Sequence, residues 1–337
     1  MSQQNPQFIL GGLGVLVVQY EDQEPRWKDQ NVFSVDPDTM KIVVSGASGL
    51  IGSALLPSLE AAGHEVVRLV RNSTEMGSGE AAWDPNTGEI DLAVIDGADA
   101  VINLNGRSIA EGRWNPAIKA ELRSSRLDST RTLVEAIAGA EKPPQLLINA
   151  SAVGYYGDRG DEVLDEDASM GDGFLAELSR NWEEAALEAK SDQTRVVLLR
   201  LGMVVAREGA LGKMLTPFKL GLGGPIGSGR QFWPWIGMED VCGIIDFILE
   251  HHEIEGPVNA VAPEALRCKE FVQTLGRALT RPSVLPVPAF AARLALGEMA
   301  DSLLLASQRV RPKMLEGEGY QFRAPSLDRA LRFALAP

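Results

Sequence analysis

The sequence is poor in the residues that build metal sites and disulfide frameworks. Its 337 residues include two cysteines, Cys242 and Cys268, and three histidines, His64, His251 and His252. The histidines lack the spacing of metal ligands, and two cysteines are too few for a disulfide framework or a metal site. We therefore expect a reduced, cytoplasmic protein without a bound metal.

Clustered positive charge and long apolar runs are also scarce. The formal net charge is −14, and no Lys/Arg cluster offers a surface for a phosphate backbone, so nucleic acid is not expected as a partner. The apolar run 8–18 has about half of the ~20 residues that a membrane-spanning helix needs. No basic residue precedes it and no small-residue cleavage site follows, so neither a membrane segment nor a signal peptide is expected.

Three glycines follow the first apolar segment of the main part of the chain. Residues 41–45 predict a strand, Gly46, Gly49 and Gly52 are spaced three apart, and the apolar residues that follow predict a helix. Gly46 permits a turn closed to residues with a Cβ, Gly49 lets a ligand approach the backbone, and Gly52 brings helix and strand together. Amides at such a helix start attract pyrophosphate. The alternative is that the turn is purely structural, since the same glycine spacing occurs in turns that bind no nucleotide. The order of strand, turn and helix favours a nucleotide site.

The end of the second predicted strand indicates which dinucleotide is preferred. Residues 64–70 form this strand, and Arg71 and Ser73 come next. Folds that prefer NAD have an acidic residue here for the ribose 2′-hydroxyl, whereas Arg71, with Ser73 as a further donor, suits a 2′-phosphate. NADP(H) is therefore favoured over NAD(H). The alternative is that Arg71 is a solvated loop residue.

The remaining pattern alternates strands and helices. Residues 82–90 predict a hairpin, 96–106 a strand with a polar end, 115–140 a helix and 145–151 the next strand. This alternation predicts an α/β fold, a Rossmann-type doubly wound parallel sheet. The length of 337 residues predicts a lesser lobe in addition, which we expect as a smaller C-terminal α/β lobe. The predicted domains are an N-terminal extension (1–40), an NAD(P)-binding Rossmann domain with substrate-lobe insertions (41–285) and a small C-terminal domain (286–337). The extension is read either as an added strand or as a tail.

Several separated sequence blocks together resemble a known protein family. They are residues 46–52, 112–115, 125–126, 151–157, 221–229, 259–263, 296–299 and 308–310, with Pro312. In this order they resemble an extended-type short-chain dehydrogenase/reductase, and more narrowly the atypical group known as an epimerase family of unknown substrate with a small C-terminal domain. The resemblance covers residues 41–335.

The resemblance implies an NADP(H) site. The residues that match positions at which relatives touch the dinucleotide are Gly46, Ser48, Gly49, Leu50, Ile51, Gly52, Val70, Arg71, Leu104, Asn105, Glu121, Arg126 and Val204. Glu121 and Arg126 are expected on a helix that faces the cofactor, and Val204 at its nicotinamide end. Arg126 supplies a second cation for a polyanionic ligand.

The catalytic pattern departs from that of the larger superfamily. Its members pair a tyrosine with a lysine four residues later, which lowers the pKa of the tyrosine for proton transfer. The four tyrosines of this chain, Tyr20, Tyr155, Tyr156 and Tyr320, are followed at that distance by Glu24, Arg159, Gly160 and Ala324. Phe174 and Leu178 occupy the helix on which the pair is expected. Gly237 stands where relatives commonly carry a histidine.

Ser151 remains at about the position of the superfamily's substrate-binding serine. We hypothesise that Tyr155 or Tyr156, with the help of Arg159, takes the acid/base role. The predicted function is an NADP(H)-binding oxidoreductase or epimerase for a small polar substrate, which a nucleotide sugar would fit. The alternative is a non-catalytic NADP(H)-sensing regulator.

The expected partners are a small-molecule substrate and, as an open alternative, a second copy of the chain. The glycine-rich loop 221–229, with Arg230, is expected to border the substrate pocket. Its glycines suit either a mobile lid or a fixed set of turns.

Overall fold

The strands of the protein are short, and most lie in one sheet. The computed structural model describes residues 39–71 and 76–336. The predicted extension, apart from Thr39 and Met40, lies outside the described residues, as does Ser73. The strands are β1 (Lys41–Ser45), β2 (Glu65–Arg71), β3 (Glu80–Asp84), β4 (Glu89–Ile90), β5 (Ala100–Asn103), β6 (Leu146–Ala152), β7 (Val163–Leu164), β8 (Arg195–Leu201), β9 (Met203–Val205), β10 (Phe232–Trp233), β11 (Trp235–Gly237), β12 (Gly256–Ala260), β13 (Leu266–Arg267) and β14 (Arg309–Val310).

Helices connect most of the strands. They are α1 (Leu50–Ala61), α2 (Leu92–Ile95), α3 (Pro116–Gly139), α4 (Phe174–Leu187), α5 (Gly209–Lys219), α6 (Met238–Glu250), α7 (Cys268–Ala278), α8 (Ala289–Leu296), α9 (Lys313–Gly317) and α10 (Leu327–Leu335). A 3-10 helix covers Val153–Tyr156 and a π-helix covers Ala300–Leu305. Among the described residues, no helix is both long and apolar enough to span a bilayer.

The central sheet has eight strands in the order β12-β8-β6-β5-β1-β2-β3-β4. All neighbours are parallel except β3 and β4, whose antiparallel pairing confirms the predicted hairpin. Crossover helices return the chain between the parallel strands, which is the doubly wound arrangement that the sequence predicts. The fold class is therefore confirmed, while the domain boundary at 285–286 stays a prediction.

The two faces of the sheet carry separate hydrophobic cores. On β1 the side chains alternate, so that Ile42 and Val44 pack with α1 and α6 on one face, while Val43 packs with α3 on the other. All three are fully buried. A strand covered on both faces is apolar throughout, and this explains why the parallel strands of this chain read as continuous apolar runs.

Asp240 attaches the C-terminal segment to α6. Its carboxylate is fully buried and accepts hydrogen bonds from the backbone amides of Arg323 (2.6 Å) and Ala324 (2.8 Å). The hydroxyl of Tyr320 donates to the same carboxylate at 3.1 Å, and burial raises the pKa of Tyr320, so the phenol keeps the proton that it donates. One side chain thus satisfies three groups of the segment that leads into α10.

We expect Asp240→Ala to lower the free energy of unfolding by roughly 3 kcal/mol or more, because each buried donor left without an acceptor costs about 1–3 kcal/mol. Urea unfolding followed by tryptophan fluorescence measures the change. Asp192→Ala, at an exposed loop position, is the control and should stay within about 0.5 kcal/mol of the wild type. Equal stability of the two variants would contradict the attachment role.

Candidate functional site

A tight turn joins β1 to α1 at the carboxyl edge of the sheet. Gly46 has a φ of +74°, and a Cβ there would lie 2.7 Å from the carbonyl carbon of Leu104. The amide of Gly49 donates to the carbonyl of Gly46 at 3.0 Å and closes the turn. Both the backbone conformation and the neighbouring chain therefore demand glycine at position 46.

Gly49 and Gly52 differ in what surrounds them. A Cβ on Gly52 would lie 2.7 Å from the Cα of Ala47, so this glycine holds α1 against the turn. A Cβ on Gly49 would meet only the carbonyl oxygen of Gly46, at 3.2 Å, and Gly49 is exposed. No side chain caps the first turn of α1, in which Leu50 and Ile51 are half-buried. The helix start is thus open on the side of Gly49 and the exposed Ser48.

The neighbouring strands bring further predicted residues to the same edge. β2 and β5 pair with β1 on its two sides. Val70 and the exposed Arg71 therefore end β2 on one side of the turn, and Leu104 and Asn105 follow β5 on the other. The amide of Leu104 donates to the carbonyl of Ser45 at 3.1 Å.

Glu121 and Arg126 act on the loop that follows β5. Glu121 is exposed and forms an ion pair with the guanidinium of Arg107. Arg126 is buried, donates to the carbonyls of Leu122 (3.0 Å) and Arg107 (3.1 Å), and lies 5.0 Å from the ring centroid of Trp182. Burial lowers the pKa of Arg126 to about 10. Both predicted residues therefore hold Arg107, two positions beyond Asn105.

Val204 lies on the other side of the candidate site. It belongs to β9, pairs with Ile236 of β11, and packs against the same core as Ile51 and Leu104. The structure thus brings the predicted cofactor residues to one edge of the sheet, with Glu121 reaching it through Arg107.

A buried polar layer lies beneath this edge. The Ser45 hydroxyl donates to Asn103 Oδ1 (2.8 Å), and Asn103 Nδ2 donates to Asn149 Oδ1 (2.7 Å). Thr130 of α3 accepts from Asn103 (3.0 Å) and from the indole of Trp182 (2.9 Å). Ser45, Asn103 and Asn149 are register partners on β1, β5 and β6. Their hydrogen bonds therefore stabilise the register of the three strand ends.

Ser151 belongs to a second buried layer that sequence reasoning missed. Its hydroxyl donates to Glu183 Oε1 at 2.6 Å, and Arg200 binds the same carboxylate through Nε and Nη2, each at 2.8 Å. Ser151, Arg200 and Asn259 are register partners on β6, β8 and β12. The single arginine within the otherwise apolar run 196–201 was the available signal, since a buried cation needs a partner.

Tyr156 lies within this second layer. It is fully buried, its hydroxyl donates to Asn259 Oδ1 at 2.7 Å, and it accepts from Arg200 Nη1 at 2.9 Å. Burial raises the pKa of Tyr156 to about 12, against the opposing effect of Arg200. This position favours a structural role for Tyr156 over proton exchange with a substrate.

Tyr155 is placed differently. It is half-buried, and the guanidinium carbon of Arg200 lies 3.7 Å from the centroid of its ring. Arg159, which the sequence offered as a helper, binds Glu162 and the carbonyl of Ser169 instead. Of the two tyrosines, Tyr155 is the one with exposed surface beside Ser151's strand.

The loop 221–229 is hydrogen-bonded to the segment before α8. The amide of Gly227 donates to the carbonyl of Val287 at 2.9 Å, and the amide of Val287 donates to the carbonyl of Pro225 at 2.9 Å. The amide of Leu285 donates to the carbonyl of Gly223 at 3.3 Å. The loop is thus tied along its length to the segment before α8.

Comparisons with known proteins agree with this geometry. The NAD dependent epimerase/dehydratase family model matches residues 42–261, and the domain of unknown function DUF1731 matches residues 287–334. The epimerase family protein ML0860 of Mycobacterium leprae is 44% identical over 294 residues, which are 87% of this chain and 95% of that protein.

Two solved structures are also similar. Human epimerase family protein SDR39U1 (isoform 2), crystallised with NADPH, has 39% identity and a TM-score of 0.80, covering 88% of this chain and 99% of its own. The nucleoside-diphosphate sugar epimerase from Corynebacterium glutamicum has 34% identity and a TM-score of 0.72, covering 88% of this chain and 58% of its own. The predicted resemblance to atypical short-chain dehydrogenase/reductases is thus confirmed, and the chain belongs to the NAD dependent epimerase/dehydratase family.

Proposed function

We propose that the protein is an NADP(H)-dependent oxidoreductase or epimerase that acts on a small polar molecule. The observation that carries this proposal is the open start of α1 at the carboxyl edge of the sheet, with Arg71 at the end of the adjacent strand. Ligands of doubly wound sheets bind at this edge.

The glycine turn fits the pyrophosphate of a dinucleotide. Gly46 and Gly52 are enclosed by backbone atoms, whereas the neighbourhood of Gly49 is open. A phosphate can therefore reach the first amides of α1 at that one position, where the positive end of the helix dipole favours an anion.

Arg71 supports the phosphorylated form of the cofactor. Its guanidinium follows the strand whose end receives the adenosine ribose in this fold class, and a guanidinium forms charge-assisted hydrogen bonds to a 2′-phosphate. The relative crystallised with NADPH, human SDR39U1, supports the same choice.

The nicotinamide ring of such a cofactor supplies the hydride acceptor or donor. The chain supplies hydrogen bonds at the reacting oxygen. Because Ser151 commits its proton to Glu183, its oxygen is left to accept a hydrogen bond from a substrate hydroxyl. Tyr155, with its half-buried ring beside Arg200, is the proposed proton carrier. Since the C. glutamicum relative is a nucleoside-diphosphate sugar epimerase, nucleoside-diphosphate sugars are the substrate class to test first.

A second candidate function is NADP(H) sensing without turnover. The observation that favours it is the composition of α4, where the buried Phe174 and Leu178 stand in place of a tyrosine and lysine. A sensor would bind the cofactor tightly and consume none of it in the presence of metabolites.

Arg71→Ala tests the cofactor choice. We expect the affinity for NADPH to fall about tenfold or more, since a charged hydrogen bond contributes roughly 1.5–3 kcal/mol, and the affinity for NADH to stay unchanged. Isothermal titration calorimetry measures both. Arg68→Ala is the matched control, because Arg68 lies on the same strand and pairs with Glu80. An equal loss for both cofactors would contradict the assigned role.

Gly49→Ala and Gly52→Ala separate binding from folding. We expect Gly49→Ala to cost less stability than Gly52→Ala, because its Cβ would meet only the carbonyl oxygen of Gly46, at 3.2 Å. It should lose NADPH affinity at least tenfold, because its methyl group occupies the approach to the helix start. Gly52→Ala should lower stability by roughly 1–3 kcal/mol, as overpacking does, and lose binding as well. Calorimetry and thermal unfolding give the two readouts. Unimpaired NADPH binding by Gly49→Ala would overturn the placement of the pyrophosphate.

Tyr155→Phe and Tyr156→Phe test the proton carrier. With a substrate found by following nicotinamide absorbance across a metabolite panel, Tyr155→Phe should lower kcat by about 100-fold at unchanged stability. Tyr156→Phe should mainly destabilise the fold, by roughly 1–3 kcal/mol, because it leaves Asn259 without its donor. Unchanged turnover in Tyr155→Phe would remove Tyr155 from the mechanism. Tight NADPH binding with no turnover on any metabolite would favour the sensor.

A further inference from the structure

Two arginines flank one aromatic ring and a third lies close to them, although acidic residues outnumber basic ones in this chain by 46 to 32. The guanidinium carbons of Arg267 and Arg309 lie 4.3 Å and 5.3 Å from the ring centroid of Phe232. The guanidinium of Arg267 also donates to the backbone carbonyl of Arg230. We call Arg230, Arg267 and Arg309 the arginine cluster.

One carboxylate faces this cluster. Arg267 Nη1 and Nη2 donate to Asp161 Oδ1 and Oδ2 at 3.2 Å and 3.1 Å, a parallel two-point contact. The hydrogen bond from Arg267 lowers the pKa of Asp161, and the charges of Arg230 and Arg309 lower it further. Three guanidinium groups thus act on a single exposed acid.

Two neighbouring carboxylates bind groups other than the guanidinium groups of the cluster. Glu162 binds Arg159 through both of its oxygens, and Glu270 accepts from the backbone amide of Arg267. Within residues 39–71 and 76–336, neither Arg230 nor Arg309 has a carboxylate at ion-pair distance, which is 4.0 Å or less. The cluster therefore has cationic groups that Asp161 does not neutralise.

Backbone pairing fixes the positions of the cluster. Phe232 and Arg267 are register partners in the β10–β13 pair. The amide of Gln308 donates to the carbonyl of Phe232 at 3.1 Å, which sets the chain position of Arg309. A site whose backbone is already ordered loses less entropy when it binds a ligand.

The chain segment that carries Arg309 contacts the candidate active site through its neighbour Gln308. Gln308 Nε2 donates to the carbonyl of Val153 at 2.9 Å, and Val153 begins the 3-10 helix that carries Tyr155. Arg309 is thus one residue away from a contact with the segment that follows Ser151.

We propose that Arg230, Arg267 and Arg309 bind a phosphate or diphosphate group of a small molecule, with the ligand taking the place of Asp161 on Arg267. Guanidinium forks match phosphate oxygens in the same two-point geometry that Arg267 makes with Asp161. An exposed ion pair contributes only about 0–1 kcal/mol, so Asp161 is easily displaced. The identification of the ligand as the substrate's phosphate rests on the proposed function. The existence of an anion site at these arginines does not depend on it.

The experiment titrates inorganic pyrophosphate into the full chain saturated with NADPH, at low ionic strength, by calorimetry. Saturation keeps pyrophosphate away from the glycine turn, so heat reports a site outside the cofactor's. We expect binding in the wild type and a loss of about tenfold in affinity for Arg267→Ala and for Arg309→Ala, since each removes a charged hydrogen bond. If the protein binds no NADPH, the same titration without cofactor tests whether pyrophosphate binds at the arginine cluster.

Asp161→Asn gives the sharper readout. It removes the negative charge that competes with pyrophosphate for Arg267, so the affinity for pyrophosphate should rise severalfold. If the Arg267–Asp161 ion pair had only a structural role, this substitution would not increase the affinity. Arg293→Ala and Asp301→Asn are matched controls, because this exposed pair (2.9 Å) lies outside the cluster. They should leave pyrophosphate binding unchanged, and all of these variants should bind NADPH as the wild type does.

Three outcomes would contradict the proposed anion site. The first is no heat from pyrophosphate in the NADPH-saturated wild type, and the second is an equal loss of pyrophosphate affinity in Arg293→Ala and Arg309→Ala. The third is an unchanged or lower pyrophosphate affinity in Asp161→Asn. A further arm adds uridine diphosphate in place of pyrophosphate. Binding of uridine diphosphate that depends on Arg309 supports a nucleotide as the source of the phosphate, and binding of pyrophosphate alone supports the free anion.

Discussion

The close packing of α1 against the end of β1 is the constraint on which the rest of the site depends. Gly52 leaves no room for a Cβ beside Ala47, so the first turn of α1 is pressed against the carboxyl edge of the sheet. Because β2 and β5 flank β1, the residues that follow them, among them Arg71 and Asn105, surround that helix start. A larger residue at position 52 would move the first amides of α1 away from Arg71, although it would alter neither those amides nor Arg71 itself.

Local signals in the sequence were sufficient to predict this part of the molecule. A positive φ at Gly46, a hairpin at residues 82–90 and the strand end at Arg71 each depend on a few neighbouring residues. Short, right-handed crossover connections then leave only a few possible strand orders. The fold class could therefore be predicted from the sequence, while the cofactor residues at the sheet edge stay a prediction.

The layer around Arg200 could not be predicted in this way. Its contacts join β6, β8, β12 and α4, and they depend on the register that pairs Ser151, Arg200 and Asn259. Register is a property of the assembled sheet, and a shift by one residue turns every side chain to the other face. The same limit applies to the two adjacent tyrosines, since only the fold buries Tyr156 and leaves Tyr155 half-buried. Sequence reasoning had no means of separating them.

The net charge of −14 is compatible with an anionic cofactor because charges act locally. At physiological ionic strength the screening length is about 8 Å, so a phosphate bound as proposed would respond to the amides of α1 and to Arg71 rather than to distant carboxylates. Arg126 contributes to the same region, since a pKa of about 10 leaves it charged near neutral pH. A long polyanion would instead extend over many screening lengths of acidic surface. The composition that argues against nucleic acid as a partner therefore leaves a dinucleotide free to bind.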